Sequence, residues 1–189
     1  MNLRRLPVIP TIVVALAVAV MVWLGFWQLE RLRWKEDLLA RYGAAVASPG
    51  EVAWPRDAAA TDAALYHRSR IDCLSATGAT TTSGRSARGQ SGMAHVVQCA
   101  LAGGGSARVV LGWSRDPANV AWPGGTVTGV IAPGPRLVAD PPLAGLAANA
   151  RPDPSEIVNN HFGYAVQWFL FAATALIIYA IAVRKRLRD

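Results

Sequence analysis

Six residues stand out for what they could do together. His161, Tyr164 and Trp168 recur at i, i+3 and i+7, with Ala165 among them, in the stretch Asn159–Trp168. Trp27, Gln28 and Arg31 fall within about one helical turn of each other in Gly25–Lys35. Three- and four-residue spacings put side chains on one helical face. An imidazole can ligate iron, aromatic rings can flank a macrocycle, and a guanidinium can pair with carboxylates. That is the composition of a site for a flat, apolar, anionic ligand, of which haem is the clearest case. Each residue also has a plainer role. Tryptophan, tyrosine and histidine at a helix end suit the headgroup level of a bilayer, and an arginine there meets lipid phosphate.

Such a site needs two helices to carry it, and the sequence supplies them. Val8–Trp27 and Tyr164–Val183 are twenty residues each and hold no Asp, Glu, Lys, Arg or His. A bilayer core of about 30 Å is crossed by roughly twenty helical residues. Trp23, Trp27, Tyr164 and Trp168 edge the runs as interfacial rings should. The composition agrees: 52% of the 189 residues are hydrophobic and 16% charged, against about a quarter charged in soluble domains. The mean hydropathy is +0.26. A cleaved signal peptide fits the first run poorly. The A-x-A-like site, Ala45-Val46-Ala47, lies beyond a highly charged segment, so a retained anchor is expected.

Two spans put both chain ends on one side and the exit of the first helix beside the entry of the second. Arg4 and Arg5 precede the first span, and Arg184, Lys185, Arg186 and Arg188 follow the second. The loop side carries Arg31, Arg33, Lys35, Arg41 and Arg151, so the basic tail is the cleaner topological signal. It predicts cytoplasmic termini. The net charge of +7 then reports topology and contact with anionic lipid rather than a nucleic-acid partner.

The expected organisation is a tail 1–7, a transmembrane helix 8–27 and a juxtamembrane helix 28–43 ended by Gly43. An extramembrane domain 44–158, a second transmembrane helix 159–183 and a basic tail 184–189 follow. Within the domain, Tyr66–Ala76, Met93–Leu101, Ala107–Trp113 and Thr126–Ala132 read as strands. Gly84–Gly92 and Gly103–Gly105 are turn-forming. Short connections imply a mainly antiparallel sheet that could close into a small barrel. Ala44–Ala64 reads as an Ala-rich loop, and the proline-rich 133–155 as an extended return to the membrane. The fold class expected is thus an α+β membrane protein, with two transmembrane helices flanking a β domain.

Cys73, Met93, His95 and Cys99 raise a second metal, copper. On a regular strand His95 and Cys99 stand about 13 Å apart, too far to share an ion, so copper is disfavoured. For the two cysteines a disulfide and a pair of buried free thiols both stay open. No G-x-S-x-G, H-E-x-x-H or P-loop occurs, so nothing marks an enzyme.

Gly25-x-Trp27-Gln28-x-x-Arg31 with Trp34-Lys35, and Asn159-Asn160-His161-x-x-Tyr164-Ala165-x-Gln167-Trp168, resemble the surfeit locus protein 1 family of cytochrome c oxidase assembly factors. The layout of tail, span, long domain, span and basic tail is similar along the whole chain. Val110-Leu111-Gly112-Trp113 looks like the family's strand ending in Arg-Gly-Trp, with Leu111 where the arginine usually stands. The retained, Sec-compatible anchor and the absence of a transit-like N-terminus predict a bacterial inner-membrane protein, with the domain on the periplasmic side. The resemblance implies transient handling of haem a, with His161 as axial ligand and Trp27, Gln28, Arg31, Tyr164 and Trp168 as supporting contacts. The implied partners are the large oxidase subunit and the haem a synthesis enzyme. Asn159 and Asn160 are well placed to cap the second helix. Two other classes compete: a cofactor-free scaffold that docks oxidase subunits, and a membrane-anchored periplasmic enzyme.

Overall fold

The computed structural model describes residues 7–188. Arg4, Arg5 and most of the short N-terminal tail lie outside the described residues. The chain forms two compact units, one built from the two terminal segments up to residue 38 and from 157 onward, the other from Leu39–Glu156.

The first unit is a pair of long helices. Helix α1 runs Val8–Ala47 and helix α3 runs His161–Arg188. Their large apolar side chains stay exposed: Ile9 77%, Leu16 63%, Ile178 63% and Ile181 64%. A soluble fold would bury that surface, whereas a bilayer core accepts it. Both helices are long and apolar enough to cross a membrane, which makes this a membrane protein. α1 does not stop at Gly43, which has open space around it; it continues to Ala47. Pro49 supplies the stop, because a proline pushes the residue before it away from helical geometry.

The helices are joined where small residues let them meet. Ala165 and Ala172 on α3 are buried, at 1% and 4% exposed. A Cβ at Gly25 would fall 2.6 Å from the Phe169 ring, and Phe26 meets the same ring edge-on at 5.4 Å. Two polar ties bracket this contact. Thr11 and Tyr179 share a hydrogen bond near one end, and Gln28 and His161 share one near the other. At 1.5 Å per residue the ties are about 26 Å apart along the helices, close to the thickness of a bilayer core.

The second unit is a β-barrel. Its strands are β1 (Glu51–Val52), β2 (Arg68–Arg85), β3 (Ser91–Leu101), β4 (Ser106–Ser114), β5 (Gly125–Ala132) and β6 (Arg136–Ala139). The order is β1-β2-β3-β4-β6-β5, and β5 pairs back onto β2. Strands β2 to β6 therefore close a ring in which β1 is an added edge. Most pairs are antiparallel; β1–β2 and β4–β6 are parallel. Five strands in this order form a Greek-key barrel of the OB type. Closure is possible because β2 is long: Arg68–Cys73 pairs with β5, and Cys73–Arg85 with β3.

Alternation fills the interior. Ile71, Val97, Val109, Leu111, Val127, Ile131 and Leu137 are buried, and burying each such side chain contributes about 1.5–3 kcal/mol. Leu111 is fully buried, so a guanidinium at the position would have to enter the barrel core. Cys73 and Cys99 also point inward and are joined as a disulfide, which settles the alternatives that spacing left open.

Several elements escaped the sequence reading, among them a 3-10 turn at Pro154–Glu156. Helix α2 (Ala58–Ala64) sits in the stretch read as loop, with Asp57 as N-cap accepting from the Ala60 amide. β1 lies in the same stretch, and β6 lies in the stretch read as an extended return. The first and last strand bounds also shift, with β2 extending nine residues beyond Ala76.

Candidate functional site

The helix pair brings part of the expected constellation together. The Nδ1 of His161 lies 2.7 Å from the Oε1 of Gln28. An amide oxygen can only accept, so the ring donates from Nδ1 and its Nε2 keeps the lone pair. The bond joins the first residue of α3 to the middle of α1. About two α-helical turns further along α1, Lys35 donates from Nζ to the Val158 carbonyl, which ties the chain just before α3 to α1.

Arg31 is held separately. Its guanidinium lies 5.4 Å from the ring centroid of Trp27 and 5.7 Å from that of Trp34. The spacings i−4 and i+3 put both indoles beside it on one helix surface. Cation–π attraction of roughly 0.5–1 kcal/mol at exposed sites favours each contact. Arg31 makes no ion pair among the described residues, so its charge is available to an anion at this end of the helix pair.

Tyr164 and Trp168 are not drawn into the Gln28–His161 contact. Tyr164 is 51% exposed. Trp168 packs edge-on against Phe171 at 6.1 Å. The buried residues of α3 are instead Ala165 and Ala172. Asn160 is the residue before the helix, and its carbonyl accepts from the Tyr164 amide. The Oδ1 of Asn159 is buried with no hydrogen-bond partner, an acceptor two residues from His161 that a bound donor would satisfy.

Two contributors stood in the first motif without being given a role in the site. That of Trp34 could have been found from its i+3 spacing to Arg31. That of Lys35 could not, because its partner is a backbone carbonyl 123 residues away.

The copper set is dismantled. Both cysteine sulfurs are in the disulfide. His95 is 2% exposed, and its Nε2 lies 2.8 Å from the Ser114 Oγ. That hydroxyl donates to the Asp116 carbonyl, so it accepts from His95, which is thereby a structural residue. No group of three or more metal-binding side chains occurs among the described residues.

These features define a class: a two-helix membrane protein carrying a closed β-barrel domain, with a histidine and a ring-stacked arginine at one end of the helix pair. The model of the SURF1 family matches residues 15–173, from inside the first span to inside the second. The chain belongs to that family, whose members are known as cytochrome oxidase assembly factors. No curated protein matches the chain.

Proposed function

We propose that this protein holds haem a during assembly of a haem-copper cytochrome c oxidase, using the end of the helix pair where His161 meets Gln28. The observation that carries the reading is the 2.7 Å bond from His161 Nδ1 to Gln28. Metal-ligating histidines almost always donate their other ring nitrogen in this way, which fixes the tautomer and raises ligand basicity. When bound, haem a would supply an iron and two propionates. His161 would hold the iron through Nε2. Arg31, steadied by Trp27 and Trp34, offers a guanidinium to carboxylates. Trp27, Tyr164 and Trp168 provide exposed or half-exposed rings for a macrocycle, and the unpartnered Asn159 oxygen offers an acceptor. The large oxidase subunit and the haem a synthesis enzyme are the expected partners.

The same reading places the protein in a bacterial inner membrane, with both ends cytoplasmic and the barrel periplasmic. The basic last turn of α3, with Lys185, Arg186 and Arg188, supports cytoplasmic ends. The Cys73–Cys99 disulfide supports an oxidising compartment for the barrel.

The test is to co-express the protein with haem a synthesis, purify it in detergent and quantify bound haem as the pyridine haemochrome. Wild type should retain haem a and His161→Ala should lose most of it. Wild type purified without haem would favour a cofactor-free scaffold that docks oxidase subunits.

A further inference from the structure

A groove of about 440 Å³ opens on the outside of the barrel. Its floor is the outward side of β3 and β4, at Gln98, Ser106 and Arg108, and its walls are Trp54, Arg56 and Pro135. All of these residues belong to the barrel unit. The groove is therefore a feature of the barrel alone, independent of the helix pair and of haem.

Its electrostatics are unbalanced. Arg108 and Arg136 are lateral partners in the parallel β4–β6 pair, so both side chains leave the same face one strand apart. Both are exposed. The Arg56 guanidinium crosses over Gly103, where a Cβ would come within 2.5 Å of it. Ion pairs among the described residues engage Arg68, Arg70 and Arg151, and none of these three arginines. The carboxylate on the lining, Asp57, is turned to the Ala60 amide as the cap of α2. Like charges held side by side on a sheet are destabilising, and an anion laid between them removes that cost.

The shape and chemistry select the anion. The groove is open and follows a strand face, which suits an extended chain. Barrels of this type use the outer face of their second and third strands, here β3 and β4, for extended ligands. Guanidinium forks match carboxylates two bonds at a time. Trp54 is half-buried and presents a flat apolar surface. Gln98 donates to the Ser106 hydroxyl at 2.8 Å, which leaves the amide oxygen for a backbone N–H. Arginine and tryptophan are the side chains that most often anchor protein partners. We propose that this groove binds an acidic, extended segment of a partner polypeptide, with Arg56 and Arg108 pairing with its carboxylates and Trp54 packing beside them.

The test uses the full chain in neutral detergent and a fluorescein-labelled peptide of six glutamates, read by anisotropy. Wild type should bind it saturably, and a six-glutamine peptide should not bind. Arg56→Gln with Arg108→Gln should weaken binding at least tenfold, and Trp54→Ala several-fold. Arg184→Gln with Arg186→Gln should leave it unchanged. An unchanged melting temperature in the groove variants shows that the fold persists. The proposal is overturned if wild type fails to bind, or if the groove variants bind as wild type does. It is also overturned if inorganic phosphate displaces the peptide where chloride of equal ionic strength does not. Binding to phosphatidylglycerol vesicles that depends on the same two arginines would assign the groove to lipid, and would overturn it as well.

Discussion

Gln28 and His161, 133 residues apart in sequence, face each other across two helices with the imidazole Nδ1 donating to the amide oxygen at 2.7 Å. The bond fixes which ring nitrogen is free, so in the proposed haem site Gln28 positions the His161 ring. Gln28→Leu removes the acceptor and leaves the ring free to turn. Haem a retention should fall about 10–100-fold, the usual effect of losing such a partner. Gln28→Glu keeps an acceptor at the same place and should retain haem, with an altered absorption maximum because a carboxylate makes the imidazole a stronger donor to iron. Retention titrated in both variants checks this, and wild-type retention by Gln28→Leu would remove Gln28 from the account.

Gly25 and Gly43 lie on the same helix and should respond in opposite ways. A Cβ at Gly25 would meet the Phe169 ring at 2.6 Å, whereas nothing lies within 4 Å of one at Gly43. Gly25→Val should destabilise the helix pair by about 1–3 kcal/mol through overpacking. Gly43→Ala should stabilise the helix by about 0.5–1 kcal/mol, the ordinary gain from replacing glycine in a helix. Thermal melts in detergent separate the two, and a neutral Gly25→Val would mean that the helices do not meet at this residue.

The barrel depends on its cross-link. The Cys73–Cys99 bridge joins positions 26 apart, which in the chain-entropy account stabilises by about 3–4 kcal/mol. Reduction by dithiothreitol, or Cys73→Ala with Cys99→Ala, should lower the melting temperature of the barrel and speed its proteolysis. The spectrum of bound haem should change much less, because both cysteines are in the barrel unit and His161 is not. Equal protease resistance with and without reductant would show that the bridge adds nothing to stability.

Tyr66 gives the barrel unit a signature at high pH. Burial raises its phenol above the ordinary value of 10.0, and Tyr42, Asp153 and Glu156 add repulsion of the phenolate. Its ring lies 4.7 Å from that of Tyr42. The folded protein holds the proton more tightly than the unfolded chain does. The linked stability is therefore complete below the unfolded value of about 10, and is lost as pH rises from there through the raised folded value. Denaturant midpoints measured from pH 9 upward should fall over that window, and the fall should be smaller in Tyr66→Phe.

The two spans were legible because lipid imposes one strong rule on a crossing helix: no uncharged run can be broken by an ionic side chain. The barrel was legible where alternation holds, as around Val97 and Cys99, and where a run is apolar throughout, as in Val109–Leu111. It failed where both faces are wet. Residues 77–85 of β2 are mostly exposed or half-exposed, so their sequence carries no apolar period. A bulge between His95 and Val96 in the β3–β4 pairing likewise breaks the regular alternation assumed for that strand. β6 is four residues long in a proline-rich stretch, and its pairing with β4 and β5 is what makes it a strand. α2 had a readable signal, Asp57 as cap before an alanine run, that the lack of apolar period concealed. At the site, residue types and spacing selected both His161 and Gln28. Spacing alone could not say that they bond, nor that Tyr164 stays exposed, since both depend on how the two helices are packed.

The central claim is that His161 is an axial ligand of haem a. The most direct measurement is the electron paramagnetic resonance and visible spectrum of the haem-loaded protein, for wild type and for His161→Gly with and without free imidazole. The account predicts a nitrogen-ligated signal in wild type, its loss in His161→Gly, and its return when imidazole fills the space the side chain leaves. A His161→Gly protein that keeps the wild-type spectrum with no imidazole added would contradict it.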